Sequence, residues 1–517
     1  MTELLNTSRT RQLLAYLAGL LRGSLCALLL RKLRQSRLGQ AVGRALTGPP
    51  LAARSMLGRL GRRCSRRLWA LGRGPDSAAG QSLVCRALDR IWALFRESLL
   101  LGPLLQGGLL GWLLTILGLF GVADWLLRDV LAVPVLSSVW DELLLLLGLW
   151  LLLRRAVRQT APLPSRVSSL SFPLLQFFAV CAALFLVTLG DCPDVSILGL
   201  RATCQSIVWF PLLLRLLRDE NDVARVCRCM ILAAFVIALH GIWQYIVAAP
   251  IPEHWTDTAE QAVRTRAFSI FGSPNILGDF MVLAAPLTLG AAYAERGWRR
   301  IALLGMTGCM LLCCLFTMSR GAWLGLFAAA LVFSLLCDRR LLALLLGGIL
   351  LAFTLPFVRS RISYLFTDAY ARSASLGGRS LRWTRALGYL YGEGAGLTGL
   401  GFGRYGGAVA AQHPLRADWE YAYVDNYYVK ILAENGWMGL ISYLLLLLGL
   451  VWSGLRSWAA NRGARRRPLC AGMLAGLCGV MVHCWFENIF EEPYMLAWFW
   501  IVAAMMVFLG QPAQHEA

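Results

Sequence analysis

Twelve apolar runs, each near the roughly 20 residues that a helix needs to cross a bilayer, leave this chain one broad architecture. They fall at about 102–122, 131–153, 171–190, 195–217, 225–248, 275–294, 300–318, 321–337, 341–357, 430–454, 468–486 and 494–510. Hydrocarbon offers no partner to a bare N–H or C=O, so a run of this length is stable there only as a helix. The expectation is an all-α integral membrane protein with about 12 transmembrane helices and a large extracytoplasmic loop between helices 9 and 10. The composition agrees: 58% of residues are hydrophobic, only 15% are charged, and the mean hydropathy is +0.60, far from a soluble average. The chain then divides into a basic arm (1–98), helices 1–9 (99–357), the loop (358–429), and helices 10–12 with a short tail (430–517).

Arginine sets the orientation. The formal charge is +21, and Lys32 and Lys430 are the only lysines. Residues 1–98 carry 18 Lys and Arg against 4 acids, about two thirds of the excess. Beside membrane spans, such a segment is a cytoplasmic retention signal and a contact for anionic lipid rather than a nucleic-acid site. The run Leu13 to Leu30, broken by Arg22, reads as a helix on the membrane face and not as a cleavable signal. With twelve alternating spans, the basic loops Arg154 to Arg166, Arg215 to Arg228, Glu295 to Arg300, Asp338 to Arg340 and Arg456 to Arg467 fall on the cytoplasmic side with both termini. The outer side receives Pro250 to Asn275, the Ser319–Arg320 turn, the large loop and Glu487 to Tyr494.

Against this bias, the outer face still holds Arg264, Arg266, Arg320, Arg379, Arg382, Arg385 and Arg404. Arginine presents a fixed fork of donors that grips phosphate bidentately and stays charged. Several converging on one interface suit the headgroup of a lipid diphosphate, whereas each alone would only snorkel to the headgroups. In the loop, Arg379 to Tyr391 reads as a short helix whose apolar face is Leu381, Ala386, Leu387 and Leu390. The stretch GLGFGRYGG (Gly399 to Gly407) lacks the lysine of a nucleotide-binding loop and suggests a backbone path passing close to a ligand. Asp425 and Asn426, beside Tyr423, Tyr427 and Tyr428, are either a general base for a sugar hydroxyl with its neighbours or a helix N-cap with interfacial tyrosines. His413 is the one histidine of the loop. His483 and Glu487 lie one turn apart, within reach of each other or of Asp279. Their spacing supplies too few ligands for a metal, and none is expected. Nor is a cofactor. The fifteen cysteines sit mostly in apolar runs and read as small buried hydrophobes.

Taken in order, Arg264 to Met281 (RTRAFSIFGSPNILGDFM), Phe316 to Leu326 (FTMSRGAWLGL), Gly378 to Leu387 (GRSLRWTRAL), Leu397 to Gly406 (LTGLGFGRYG) and Val424 to Leu444 (VDNYYVKILAENGWMGLISYL) resemble the O-antigen ligase and O-antigen polymerase superfamily. The resemblance implies a GT-C-like helical fold in a bacterial cytoplasmic membrane. It implies transfer of a glycan, without metal, from an undecaprenyl-diphosphate donor to a hydroxyl of a lipid or glycan acceptor, with inversion at the outer face. Arginines matching Arg266, Arg320 and Arg379 would hold the diphosphate, with Arg264 and Arg382 beside them. Asn275, Asn426, Tyr427 and Glu487 would complete the substrate site. Many ligases carry His-Asn where this chain has Asp425-Asn426, so Asp425, or else His413, stands as the base. The competing classes are a transporter or flippase of the same lipid-linked glycan, in which the arginines bind without reacting, and a scaffold working through the basic arm. Transporters place ionisable groups deep along a path joining both sides; here they gather at helix ends.

Overall fold

The computed structural model describes residues 108–158, 166–190, 192–250, 265–367, 378–416 and 423–511, together with Gln40. The basic arm, the proposed surface helix at 13–30 and Arg264 lie outside the described residues. Among those described the chain is helical, and its one bridge pair joins Gly406 to Tyr423.

The helices, in order, are α1 (Gly108–Gly118), α2 (Phe120–Trp125), α3 (Pro134–Arg158), α4 (Ser171–Thr188), α5 (Pro193–Cys204), α6 (Trp209–Leu216), α7 (Glu220–Ile246), α8 (Pro274–Ala294), α9 (Gly297–Phe316), α10 (Arg320–Leu336), α11 (Leu341–Thr354), α12 (Pro356–Ser363), α13 (Arg379–Gly392), α14 (Ala408–Gln412), α15 (Tyr427–Ala460), α16 (Arg467–His483) and α17 (Pro493–Leu509). Each of the twelve apolar runs contains a helix, but fewer qualify as spans. Among the described residues seven are long and apolar enough, and an eighth if α1 and the segment Phe120–Val130, bent by 81°, form one broken span. Helices α10, α16 and α17 have 17 residues each and α11 has 14. At 1.5 Å per residue, 17 residues reach about 26 Å, short of a hydrocarbon core of about 30 Å.

Burial explains how short helices persist. Helix α17 is apolar on all sides and buried along its whole length, as expected of a helix enclosed by others. Helix α8 is its polar-ended companion, buried along most of its length, with Phe280 stacked on Trp498 at 4.4 Å. Helix α16 closes on α8 through small residues: a Cβ on Gly472 would stand 2.2 Å from the Pro286 carbonyl. Backbones approach this closely only where side chains vanish, the usual solution when lipid gives helices no hydrophobic reason to associate. The buried cysteines Cys181, Cys227, Cys313, Cys314, Cys470 and Cys484 are unpaired and pack as apolar groups.

The two ends of the bundle differ. At one end, Arg465 bonds Glu295, and Arg466 pairs with Glu220 and bonds Asn461, tying together three of the basic loops. Helices α8, α15 and α16 run from that end to the other, where Asn275, Tyr427 and His483 stand at their opposite termini. Arg266, Arg320 and Arg379 therefore stand away from the arginine-rich loops.

The glycine-rich stretch serves packing. Helix α15 is broken at Gly436, whose φ of +61° no other residue adopts cheaply. The break frees two carbonyls: Leu400 N–H donates to Ala433 O at 2.8 Å and Gly401 N–H to Glu434 O at 2.9 Å. A Cβ on Gly399 would lie 2.2 Å from Glu434 O. The expected close approach of this backbone is thus to another segment of the protein, because the broken helix offers acceptors that only a side-chain-free strand can reach.

Candidate active site

Three helix N-termini converge on one cavity. Ser273 caps α8 by accepting from Ile276 N–H, followed by Pro274 in the first turn; Ser319 caps α10 by accepting from Ala322 N–H; Gly378 precedes α13. Each start follows local rules, since serine caps and proline at the first position stabilise helix entry. Arg320 and Arg379 open α10 and α13, and Asn275 is the second residue of α8. The cavity, about 100 Å³, is lined by Arg266, Asn275, Ser319, Arg320, Gly321, Arg379, His483 and Phe486. Helix N-termini carry partial positive charge and unpaired N–H groups, so dipoles and arginines act in the same direction.

A continuous polar chain crosses the cavity wall. Arg266, 7% exposed, donates through Nε to Thr317 O at the C-terminus of α9 (3.0 Å) and through Nη2 to Asn275 Oδ1 (3.1 Å). Asn275 Nδ2 donates to Glu487 Oε2 at 2.5 Å. Arg379 lies between two carboxylates, 3.9 Å from both Glu487 and Asp425, with 41% of its side chain exposed. Arg382 holds Asp425 at 2.5 Å. Burial, with Arg320 and Arg379 nearby, pushes the Arg266 guanidinium down to about 10 against the pull of Glu487; it remains charged at neutral pH. Burial and the neighbouring Asp425 push the Glu487 carboxyl up, while Arg379, His483 and Asn275 oppose them. Arg320 lies 5.8 Å from the Tyr364 ring centre, within cation–π range.

Asp425 is not the helix cap. That role falls to Asn426, whose Oδ1 accepts from Tyr428 N–H and Val429 N–H at 3.0 and 3.1 Å. Asp425 instead takes φ +50°, a left-handed conformation that costs a non-glycine residue about 1 kcal/mol or more. Its carboxylate turns to Arg382, and Trp383 Nε1 bonds the adjacent Val424 carbonyl at 2.9 Å. In α13, Arg379, Arg382 and Trp383 share a face with the buried Ala386 and Leu390, at spacings of three, four, seven and eleven residues, so the side of the helix that packs on the protein is also the one that carries the two arginines.

Two of the expected site residues act as supports. Asn426 is fully buried, and its N–H donates to Asn488 Oδ1 at 2.9 Å. Tyr427 packs edge-on against Tyr443 and Phe490 with 1% exposure. His413 goes elsewhere: it lines a second cavity of about 280 Å³ with Asp141, Arg201, Gln205, Gln412 and Glu491, among others. Arg404 also faces away, donating to Leu189 O.

One pair absent from the expected site stands inside it. His483 Nδ1 lies 2.8 Å from Asp279 Oδ1, both essentially buried. The ring edge carrying Cδ2 and Nε2 faces Gly321, where a Cβ would approach them to 2.7 and 2.9 Å. The sequence already put Asp279 within reach of His483, one turn before Glu487; what it did not give was the place of this pair beside the cavity arginines.

Residues 305–444 match the family model described as O-antigen ligase. The match includes Arg320, Arg379, Arg382 and Asp425; Arg266, Asp279, His483 and Glu487 lie beyond it. No curated protein matches the chain.

Proposed function

We propose that this chain, a multi-pass membrane enzyme of the O-antigen ligase and polymerase family acting in cell-surface polysaccharide synthesis, moves a glycan from an undecaprenyl-diphosphate donor to an acceptor hydroxyl, with the arginine cavity seating the diphosphate. The observation that carries this reading is the convergence of Arg266, Arg320 and Arg379 with three helix N-termini on one cavity. With Arg382 there are four guanidiniums, against the carboxylates of Asp425 and Glu487. The guanidiniums outnumber the carboxylates around the cavity, which leaves it positive as a sugar-linked diphosphate, an anion that arginine forks suit, requires. Arg379, loosely shared between two carboxylates, is the one best placed to turn onto a phosphate oxygen.

In the reaction, the acceptor oxygen forms a new bond to the anomeric carbon as the bond to the diphosphate oxygen breaks. Its electron pair leaves with the diphosphate. The arginines and helix termini stabilise that growing charge in a site whose dipoles are already oriented, the largest single effect available to such a centre. Asp425, fixed by Arg382, receives the acceptor proton; a single displacement inverts the anomeric centre. The cavity end of the bundle then faces outward across a bacterial cytoplasmic membrane, opposite the arginine-rich loops, as the positive-inside bias requires.

The test is transfer by the purified protein from a lipid-diphosphate glycan to an acceptor, followed as release of undecaprenyl diphosphate. Arg266→Ala and Arg320→Ala are each expected to lower kcat/KM by about 100-fold or more, the usual cost of losing a charged donor to a developing anion. Full activity in both variants would remove the diphosphate from this cavity. Translocation of the lipid-linked glycan in proteoliposomes without transfer would make the protein a carrier instead.

A further inference from the structure

We infer that His483, oriented by Asp279, is the proton donor to the diphosphate that the arginine cavity holds; the inference rests on the diphosphate reading of that cavity. Asp279 and His483 come from α8 and α16, the two helices packed most intimately through small residues, so their 2.8 Å contact is fixed by the bundle and not by a mobile loop. Asp279 occupies Nδ1. That leaves Nε2 as the only polar atom of the ring able to meet a ligand, and His483 lines the cavity with Arg266, Arg320 and Arg379. Gly321, the second residue of α10, makes room for this edge: any side chain there would strike it.

A histidine whose Nδ1 is held by a carboxylate has two useful states. With one proton on the Nδ1 side, Nε2 is a lone pair; with a second proton, Nε2–H is a donor and the pair is neutral overall. A seated diphosphate sets negative charge beside Nε2 and favours the second. Diphosphate binding should therefore draw a proton onto His483. During transfer, the electron pair of the breaking anomeric C–O bond goes to the diphosphate oxygen and the Nε2 proton moves to a phosphoryl oxygen. The acceptor's proton leaves to Asp425, and both groups re-equilibrate with solvent after product departs. No oxidant or further reactant is needed. Nε2 opens among Arg266, Arg320 and Arg379, beside the leaving group, which places His483 for the acid's task.

The other charged groups that face the pair are Arg266 from the 265–273 segment, Arg320 from α10, Arg379 from α13 and Glu487 from the loop after α16. Glu487 is the rival for the proton, and the experiment separates the two. Farnesyl diphosphate is titrated by calorimetry into the purified full-length protein at pH 7.5, in two buffers of different ionisation enthalpy, so that proton uptake is read directly. Wild-type protein is expected to take up a large fraction of one proton on binding. His483→Gln should bind and lose that uptake, whereas Glu487→Gln should keep it. In the wild-type protein, ¹⁵N-labelled histidine should show one imidazole changing from neutral to doubly protonated on titration, a result independent of whether the variants fold. Binding without proton uptake, uptake that survives in His483→Gln, or uptake lost in Glu487→Gln would overturn the inference while leaving the cavity a diphosphate site. Absence of binding by the wild-type protein would instead overturn the diphosphate reading itself.

Discussion

If the arginine cavity seats a diphosphate as proposed, Glu487 sets how tightly it is held, and replacing it with glutamine isolates that effect. The carboxylate is buried, bonded to Asn275 and 3.9 Å from Arg379. Glutamine keeps the shape and removes one negative charge. At 3.9 Å and an effective dielectric near 20, the Glu487–Arg379 attraction is about 4 kcal/mol. Arg379 has 41% of its side chain exposed, and solvent screening reduces what is recoverable to about 1 kcal/mol. That energy no longer competes with the ligand, so Glu487→Gln should bind undecaprenyl diphosphate about fivefold more tightly and turn over more slowly as product lingers. The wild-type protein should approach the same behaviour on acidification. Its Glu487 carboxyl is raised by burial and by Asp425, so protonation begins above the ordinary glutamate range and affinity rises as pH falls through that raised value; below it, wild type and variant should agree. The same sign governs folding: a raised carboxyl binds its proton better in the folded state, so stability declines as pH climbs from the ordinary value to the raised one. Binding measured by fluorescence polarisation of a labelled polyprenyl diphosphate, across pH and in both proteins, checks the two affinity outcomes, and turnover and the thermal midpoint across pH check the others. Weaker binding by Glu487→Gln would refute the charge argument, showing that Glu487 acts through the Asn275–Arg266 chain that it orients.

Three further outcomes follow from the geometry. Asn426→Ala removes a cap that accepts two N–H bonds at the start of α15 and should cost about 1–2 kcal/mol, visible as a lower thermal midpoint in detergent with transfer chemistry retained. Gly436→Ala combines a positive φ with a Cβ 2.3 Å from Leu397 O. It should destabilise severely, by roughly 3 kcal/mol or more, seen as loss of monodisperse protein on gel filtration. His413→Ala should leave diphosphate affinity within about twofold of wild type, because its cavity is not the arginine cavity and additivity holds for sites without shared partners; a tenfold loss in a binding assay would join the two cavities.

What the sequence made legible was whatever rests on local pattern. Run length marked the helices, arginine bias separated the two ends, and Arg379 to Tyr391 declared an amphipathic helix, because these depend on residues within one or two turns of each other. Span count was less legible: a 17-residue apolar run looks the same whether lipid or protein surrounds it, and only the complete enclosure of α17 distinguishes the two. The glycine stretch was read as hugging a ligand because glycine licenses close approach without naming the partner; Gly436, some thirty residues on, supplies that partner by breaking α15. The Asp425-Asn426 pair shows the same limit at the site. Residue type made both side chains eligible for capping, yet one helix start has room for one cap. Once Asn426 takes both N–H groups, Asp425 is left in a left-handed conformation with its carboxylate on Arg382. A residue held in a costly conformation that no capping bond repays is held there for its charge. That is the argument for treating the departure from His-Asn at this position as a change in how the site handles charge.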